Sequence, residues 1–452
     1  MNIIIAGNGT VGNTIAKQLA AEGHDITIID SNDSVLESSA EKLDVITLKG
    51  NCASMAVLRQ ANIENAELLI AATNLDEVNL LCCTTAHGLN PDIHTISRIR
   101  NPEYSDQIYE LRSVFALSLA VNPEKQAAVE IERLLKYPGF SQRDTFAKGK
   151  AEIVELRVTE GSKICNVPLK QLNSVVKCSV LACVVIRNGE AFIPNGDFVL
   201  STGDRIFFTA PTNNLAKLLK NLGVISKRVR SVMLVGGGRV CYYLAQLLLK
   251  DGLSVRIMEK DHERCRTLAE LLPEADVFIG NGTDQSALVA EGLGDCDALV
   301  TLTGTDEINM IVSLHGMKAN VPTVITKLNN AENREIIDSL SLHSVVCPKE
   351  LCGDSIIRYV RAMQNQSGAA VSVHAIADGQ AEAVEFYVDK DTKNCGVPLK
   401  NIRTRDDVLI SCITTGSKTV IPNGDSTFCE GDVMVVVTNG RGKIRQLNDI
   451  FA

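Results

Sequence analysis

Ile3-Ile4-Ile5-Ala6-Gly7-Asn8-Gly9-Thr10-Val11-Gly12 is the stretch on which the fold turns. Four apolar residues run into a Gly-x-Gly-x-x-Gly loop, and an amphipathic stretch over 10–22 follows at once. A short strand that ends in glycines and opens a helix is the first βα turn of a doubly wound sheet. The first glycine permits the tight turn, the second lets a pyrophosphate approach the backbone, and the third lets helix pack on strand. Amides at the helix start, among them those of Thr10, Val11 and Gly12, then face phosphate oxygens with the helix dipole behind them. Asp30 closes the second strand candidate, where a carboxylate accepts hydrogen bonds from ribose hydroxyls and repels a 2′-phosphate. The expected ligand is NAD or NADH, or an adenine nucleotide such as ATP or ADP, rather than NADP.

The same pattern returns later in the chain. Gly236-Gly237-Gly238-Arg239-Val240-Cys241 follows the apolar run Val232-Met233-Leu234-Val235, and Glu259 stands where Asp30 stands. Gly7 and Gly236 are 229 positions apart. Thr73, Asp76, Glu77 and Asn79 correspond to Thr303, Asp306, Glu307 and Asn309, 230 positions on. Val167-Pro168-Leu169-Lys170 corresponds to Val397-Pro398-Leu399-Lys400, and Ile193-Pro194-Asn195-Gly196-Asp197 to Ile421-Pro422-Asn423-Gly424-Asp425. One register held over so many blocks means a duplicated two-domain module, far longer than a solenoid repeat. In the second copy Cys241 replaces the third glycine, so the helix there has to sit farther from the strand or tilt. Arg239 adds a cation beside the loop.

Within each copy two textures alternate. Strand candidates at 3–6, 26–29, 45–48, 68–72, 95–99 and 116–120 are separated by helical stretches such as 10–22 and 76–87, the pattern of an α/β fold with a Rossmann-like doubly wound parallel sheet. The next part has β-patterned segments at 152–158, 180–186 and 205–210, divided by Asn188-Gly189, Asn195-Gly196 and Gly203-Asp204, with a closing helix at 213–221. That is a small α+β domain. Segments 137–150 and 365–368 read as the connections. The expected domains are 1–137, 138–228, 229–365 and 366–452.

Ligands in doubly wound sheets lie beyond the carboxyl ends of the strands. Thr73 and Asn74 after the fourth strand, with Thr303 in the second copy, are therefore placed to line the crevice. Arg98 and Lys327, at the end of the next strand, are placed to meet phosphate, Arg as a fork and Lys as a point charge. Asn51 and Cys52 after the third strand, with Asn281 in the second copy, complete the candidate set.

Composition excludes several classes. Among 452 residues the formal net charge is −9, aromatics are 4% and Trp is absent. That argues against a basic field for nucleic acid and against a stacking platform for single strands. No apolar run reaches the roughly 18–20 residues that span a bilayer. The N-terminus reads as a strand with no basic region before it, so no signal peptide is expected. The chain reads as cytoplasmic. Fourteen cysteines include no Cys-x-x-Cys, and seven histidines form no His-Glu-x-x-His, so no metal site is expected. Scattered cysteines in such a chain behave as small buried hydrophobes.

Taken together these features resemble the TrkA-type potassium-uptake regulators, built of tandem RCK modules (a KTN or RCK-N domain followed by RCK-C). The resemblance runs over essentially the whole chain. It rests on the glycine loops with Asp30 and Glu259, the Asp76-Glu77-x-Asn79 and Asp306-Glu307-x-Asn309 blocks, Arg98-Ile99-Arg100-Asn101-Pro102-Glu103-Tyr104, and the Val-Pro-Leu and Ile-Pro-Asn-Gly-Asp blocks of the small domains. Where the family often carries Gly-Asp after the third strand, this chain has Gly50-Asn51 and Gly280-Asn281, which hydrogen-bond without charge. The resemblance implies a cytoplasmic regulatory subunit, peripheral on the inner face of the cell membrane. It implies a homo-oligomeric ring, tetrameric, that gates a membrane potassium-translocating subunit and binds NAD(H) and adenine nucleotides. The alternative is an NAD-dependent oxidoreductase on the same folds. That alternative needs a poised acid–base group against the nicotinamide. The seven histidines are scattered along the chain, and no catalytic constellation is apparent.

Overall fold

The computed structural model describes residues 1–136, 143–223, 229–330, 340, 342, 344–363, 370–439, 444 and 446–452. The opening strand β1 (Asn2–Ala6) feeds α1 (Thr10–Ala21) and is followed by β2 (Asp25–Asp30), α2 (Asp33–Lys42), β3 (Ile46–Lys49), α3 (Met55–Gln60), β4 (Leu68–Ala71), α4 (Asp76–Leu89), β5 (His94–Arg98), α5 (Pro102–Leu111), β6 (Leu119–Val121) and α6 (Pro123–Lys136). The strands form one sheet in the order β3-β2-β1-β4-β5-β6, with every pair parallel. This is the doubly wound order, and its switch point lies between β1 and β4. Ile3 to Ala6 and Leu68 to Ala71 are all buried. Helices cover both faces, which is why these strands read as continuous apolar runs rather than alternating ones.

A small antiparallel domain follows: β7 (Arg143–Phe146), β8 (Ala151–Arg157), α7 (Leu172–Val176), β9 (Leu181–Arg187), β10 (Glu190–Phe192), β11 (Arg205–Pro211) and α8 (Thr212–Leu222). Its sheet order is β10-β9-β11-β8-β7. The β9–β10 turn is Asn188-Gly189, both at positive φ (56° and 82°), as a two-residue hairpin requires. The second copy repeats the plan with β12 (Ser231–Val235), α9 (Arg239–Lys250), β13 (Ser254–Glu259), α10 (His262–Leu271), β14 (Asp276–Ile279), α11 (Gln285–Ala290), β15 (Ala298–Thr301), α12 (Asp306–Lys318), β16 (Thr323–Lys327), β17 (Val345–Val346) and α13 (Pro348–Met363). Its parallel sheet runs β14-β13-β12-β15-β16-β17. The last sheet holds β18 (Ala370–Ile376), β19 (Ala381–Tyr387), β20 (Val408–Thr415), β21 (Lys418–Val420) and β22 (Val433–Thr438), ordered β18-β19-β22-β20-β21.

Two expectations need correction. The sixth strand, expected at 116–120, forms only at Leu119–Val121. Ala116 is left-handed (φ 52°), and the Arg112 guanidinium binds the carbonyls of Leu117 and Ser118, so the chain is still turning there. The connection expected at 137–150 contains a strand, β7, paired antiparallel with β8. Residues 137–142 and 365–368 lie outside the described residues.

The chain divides into two compact units, one holding both parallel sheets (1–132 and 230–357) and the other both antiparallel sheets (133–229 and 358–452). In the parallel-sheet unit the copies touch through α6 and α13, where Gln126 Nε2 donates to Ser355 Oγ at 3.0 Å. In the antiparallel unit one core draws Phe146, Ile153 and Phe207 from the first copy and Ile376, Cys412 and Val435 from the second. Arg205 there binds Glu155 of its own copy and Asp378 of the other. Gln126 and Ser355 are 229 positions apart, the repeat offset. Asp144 and His374 are 230 apart and lie 2.9 Å from each other. Each pair therefore joins one position of the module to its own counterpart. Duplication within one chain lets those positions diverge into complementary partners, which identical subunits facing across a two-fold axis cannot do.

Candidate functional site

The first glycine loop is held by backbone geometry. Gly7 sits at φ +96°, and a Cβ there would lie 2.8 Å from the amide nitrogen of Thr73 and 2.9 Å from the carbonyl carbon of Ala72. Gly236 repeats this at φ +106°, with Thr303 N at 2.7 Å. The turn after the first strand is thus pressed onto the end of the fourth, and only glycine fits. Gly12 is as tight, because a Cβ there would stand 1.9 Å from the Gly7 carbonyl oxygen. The second copy carries a real side chain at that position, the fully buried Cys241. A helix start that stands off from the Gly236 carbonyl is the expectation that follows.

Gly9 and Gly238 are different. Both are exposed, and a Cβ on either would meet nothing within 4 Å. They occupy the N-cap positions of α1 and α9 with nearly identical angles and no capping side chain. The first bonds of those helices are Asn13 N to Gly9 O and Tyr242 N to Gly238 O. The helical geometry therefore leaves the amides of 10–12 and 239–241 without helical acceptors. Asn32, Asn101, Asp261 and Asp284 cap α2, α5, α10 and α11 with side-chain oxygens, whereas α3, α4 and α12, like the glycine helices, have no side-chain cap. The glycine helices are left open at the end where an anion is best held.

The acid at the end of the second strand supports the loop. Asp30 Oδ2 accepts from Asn8 N at 2.6 Å, and its Oδ1 accepts from Asn32 N at 2.9 Å. Glu259 accepts from Gly237 N at 2.6 Å and from Lys260 N and Asp261 N. An ionised carboxylate has about four lone-pair sites, so each keeps capacity for hydroxyl donors. The Asn8 side chain turns inward, donating to Val35 O and Ser39 Oγ, so it offers a ligand main chain only. Val11 and Val240 are likewise buried and present backbone alone. Thr10 and Arg239 are exposed beside the loops.

The fourth and fifth strand ends are joined by a duplicated clamp. Asn79, fully buried in α4, accepts from Thr73 N (2.8 Å) and Thr73 Oγ1 (2.6 Å) and donates to Thr73 O (3.3 Å) and Arg98 O (2.9 Å). Asn309 makes the same four bonds to Thr303 and Lys327. Asp76 Oδ2 accepts from Arg100 N and Asn101 N, both at 2.8 Å, and Asp306 accepts from Asn329 N and Asn330 N. The Asp-Glu-x-Asn block thus fixes both loops at the carboxyl edge of the sheet. The repeat pointed to these residues, but their bonds are visible only in three dimensions.

Arg98 reaches back to this edge, its guanidinium bonding Thr73 O and Asn74 Oδ1, while its buried Nε has no hydrogen-bond partner among the described residues. Burial pushes the Arg98 pKa down, and Arg100 adds repulsion. Lys327 is pushed down by burial too, with Asp306 and Glu124 partly offsetting it. Two desolvated cations at matching strand ends favour an incoming anion. Asn51 and Asn281 are exposed and spend their side-chain oxygens on local turns, accepting from Ala53 N and Thr283 N. Cys52 is buried, and its carbonyl accepts from the Cys82 thiol.

Two further residues carry no sequence signal strong enough to mark them. Arg264, in α10, donates to Gly237 O at 2.6 Å and so brings a cation to the second loop. Tyr243, in α9, donates to Arg100 O at 3.2 Å and accepts from Asn122 Nδ2 at 3.0 Å. The helix that opens at the second glycine loop therefore touches the strand-end loop of the first crevice. Its counterpart Thr14 instead bonds back to Thr10 O in its own helix, so this link runs from the second copy to the first. Tyr243→Phe removes two hydrogen bonds, at about 1 kcal/mol each net. Its expected signature is a ligand affinity at the first site that no longer depends on occupancy of the second, read by titrating the variant against the parent.

Comparison with known proteins places these features. The family model described as TrkA-N domain matches residues 3–119 and 232–348, and that described as TrkA-C domain matches 153–223. The chain is 32% identical to a Trk system potassium uptake protein TrkA homolog of Archaeoglobus fulgidus, covering all of both chains. It is 30% identical to the Trk system potassium uptake protein TrkA of Halomonas elongata, covering all of this chain and 98% of that one. Among solved structures, the GsuK channel bound to NAD shares the fold with a TM-score of 0.63 at 16% identity, over 97% of this chain and 77% of that chain.

Proposed function

The chain belongs to the TrkA family, and on that premise we propose that it is the nucleotide-sensing subunit that gates a Trk-type potassium uptake system. As a member of this family it is a regulatory protein and not an enzyme, and the oxidoreductase alternative falls away. The observation that carries the nucleotide reading is the open, uncapped helix start beside Gly9, repeated at Gly238, with an acid at the end of the neighbouring strand. NAD or NADH fits this arrangement. The amides of Thr10, Val11 and Gly12 would hold the phosphates, Asp30 the ribose hydroxyls, and Arg98 the charge at the strand edge. Arg239, Arg264, Glu259 and Lys327 would serve the second site. ATP and ADP present the same phosphate and ribose chemistry and compete for the same groups. That a channel with this fold binds NAD supports the reading.

The subunit works as a homo-oligomeric ring, tetrameric, on the cytoplasmic face of the membrane, against a potassium-translocating partner. No described helix is long and apolar enough to cross a membrane itself. Ligand controls the ring only through a difference in affinity between its two shapes. A hundredfold preference is worth about 2.7 kcal/mol per site. Glycine-loop sites coupled through contacts such as Tyr243 to Arg100 sharpen the response.

Asp30→Ala is expected to weaken NADH binding at the first site by roughly 1–3 kcal/mol, since it removes both the ribose partner and the acceptor for Asn8 N. Calorimetry on the variant reads this directly, and an unchanged affinity removes Asp30 from the site. The gating reading is tested by co-reconstituting the chain with a Trk-type membrane subunit and following potassium flux with NADH, NAD, ATP and ADP. Flux that responds to at least one of them, and less so with Asp30→Ala, supports it. Flux indifferent to all four rejects it.

A further inference from the structure

The two glycine loops are built differently at the end of the second strand. In the first copy Asn8 Nδ2 donates to Val35 O at 3.0 Å and to Ser39 Oγ at 2.8 Å, so a loop side chain reaches to α2. The counterparts, 229 positions on, are Gly237, Arg264 and Leu268. There the direction is reversed. A Cβ on Gly237 would lie 2.7 Å from Leu268 Cδ1, and Arg264 reaches from α10 to the loop, its Nε donating to Gly237 O at 2.6 Å. Glu259 holds the amide of that same residue at 2.6 Å. Among the described residues Arg264 makes no other hydrogen bond and no ion pair, so both its Nη groups stay available.

The acids differ in the same sense. An ionised carboxylate has about four lone-pair sites. Asp30 spends two of them on the amides of Asn8 and Asn32, which leaves room for both hydroxyls of a ribose. Glu259 spends three on the amides of Gly237, Lys260 and Asp261. Charge follows the same division. Residues 30–37 hold Asp30, Asp33 and Glu37 and no Lys or Arg, whereas 259–266 hold Glu259, Asp261 and Glu263 together with Lys260, Arg264 and Arg266. Arg266 pairs with Glu270. Lys260 is exposed beside Glu259 and has no ion-pair partner among the described residues. Ser31 and Val35 stand at the positions of Lys260 and Arg264 in the first copy.

We propose that the second glycine loop selects a dinucleotide bearing a ribose 2′-phosphate, NADP or NADPH, while the first keeps to NAD(H). The inference rests on the nucleotide reading above and makes Arg264 the specificity residue, with Lys260 beside it. The acid that ends the second strand marks the place of the ribose 2′-hydroxyl in doubly wound sheets, and an arginine near it accommodates a 2′-phosphate. Arg264, anchored through Nε, keeps a planar Nη pair for phosphate oxygens, a bidentate contact that a lysine cannot reproduce. Glu259 serves mainly to hold the loop, since three amides engage its carboxylate. The repulsion it exerts on a phosphate is offset by Lys260 and Arg264. Asp30 has no such cation in its own stretch and reads the hydroxyls instead.

The test is calorimetry on the full native chain with NADPH and with NADH, each alone and then in competition with the other. The expected result is one site that binds NADPH more tightly than NADH by about tenfold or more, as charge-assisted bonds to a phosphate provide, and a second site with the opposite preference. Arg264→Val installs the first copy's residue and should abolish the NADPH preference while NADH still binds. Arg264→Lys keeps the charge without the fork and should recover part of it. Lys260→Ala, at an exposed position, should lower the NADPH to NADH ratio in the same direction. A purely structural role for Arg264 would weaken both dinucleotides alike and leave that ratio unmoved. Equal affinities for NADH and NADPH at every site overturn the inference and leave the nucleotide reading standing, as does a preference that survives Arg264→Val or binding of ATP or ADP alone. Binding of no nucleotide overturns the reading itself, and the inference with it.

Discussion

Gly7→Val is expected to abolish ligand binding at the first glycine loop and to destabilise its domain by roughly 2–5 kcal/mol. Two independent costs add. A side chain at φ +96° carries about 1–2 kcal/mol of backbone strain. The new Cβ also lies under 3 Å from backbone atoms of Ala72 and Thr73, an overpacking that costs typically ~1–3 kcal/mol and that no rotamer relieves. Relief requires the turn to lift from the end of β4, and that displaces the amides of Thr10 to Gly12 from their place. Denaturant unfolding and an NADH titration on one preparation separate the two effects. Gly9→Ala is the control, because its Cβ would meet no atom of the described residues within 4 Å. That variant should keep parental stability and lose affinity only, to the extent that the ligand's phosphates approach Gly9. A Gly7→Val chain of parental stability would show that the turn is not held against the fourth strand.

Asn79→Ala is the second large effect, about 3 kcal/mol of stability lost with the site loosened. One buried amide satisfies Thr73 N, Thr73 Oγ1, Thr73 O and Arg98 O. Each bond is worth about 1 kcal/mol net, and backbone groups left unsatisfied cost about 1–3 kcal/mol each. The carbonyl of Arg98 is one of the groups released, so the buried guanidinium loses its register with Thr73. Asn309→Ala should do the same to the second copy, and the double variant should be additive, since the two amides share no partner. Hydrogen exchange at Thr73 and Thr303 checks each clamp. Protection that is unchanged in the variants would mean that the clamps do not hold these loops.

The fold was legible where local chemistry and tertiary demand coincide. Ile3 to Gly12 names a buried strand, a turn only glycine can make and a helix start, and the structure builds all three. The duplication was legible as register alone. What stayed hidden depends on contacts remote in sequence. Ala116 looks like a strand residue, yet Arg112 binds the carbonyls that follow it and holds the chain in a turn. Asn8 lies in a phosphate-binding pattern, yet its side chain serves Ser39 and Val35. Asn79 was visible as a repeated letter, but its four bonds span two strand ends. Tyr243 and Arg264 answer to packing between elements that sequence spacing does not relate. Cys241 is the instructive intermediate, because the missing glycine predicts an altered helix seat without saying how it is accommodated.

The central claim is that each copy offers a nucleotide site at its glycine helix. Its most direct test is a calorimetric titration of the intact chain with NADH, NAD, ATP and ADP, reporting sites per chain. Saturable binding of at least one of these is expected. Asp30→Ala should remove or weaken one site and Glu259→Ala the other. Binding to none of the four, or binding that survives both substitutions together with unchanged affinity, would contradict it.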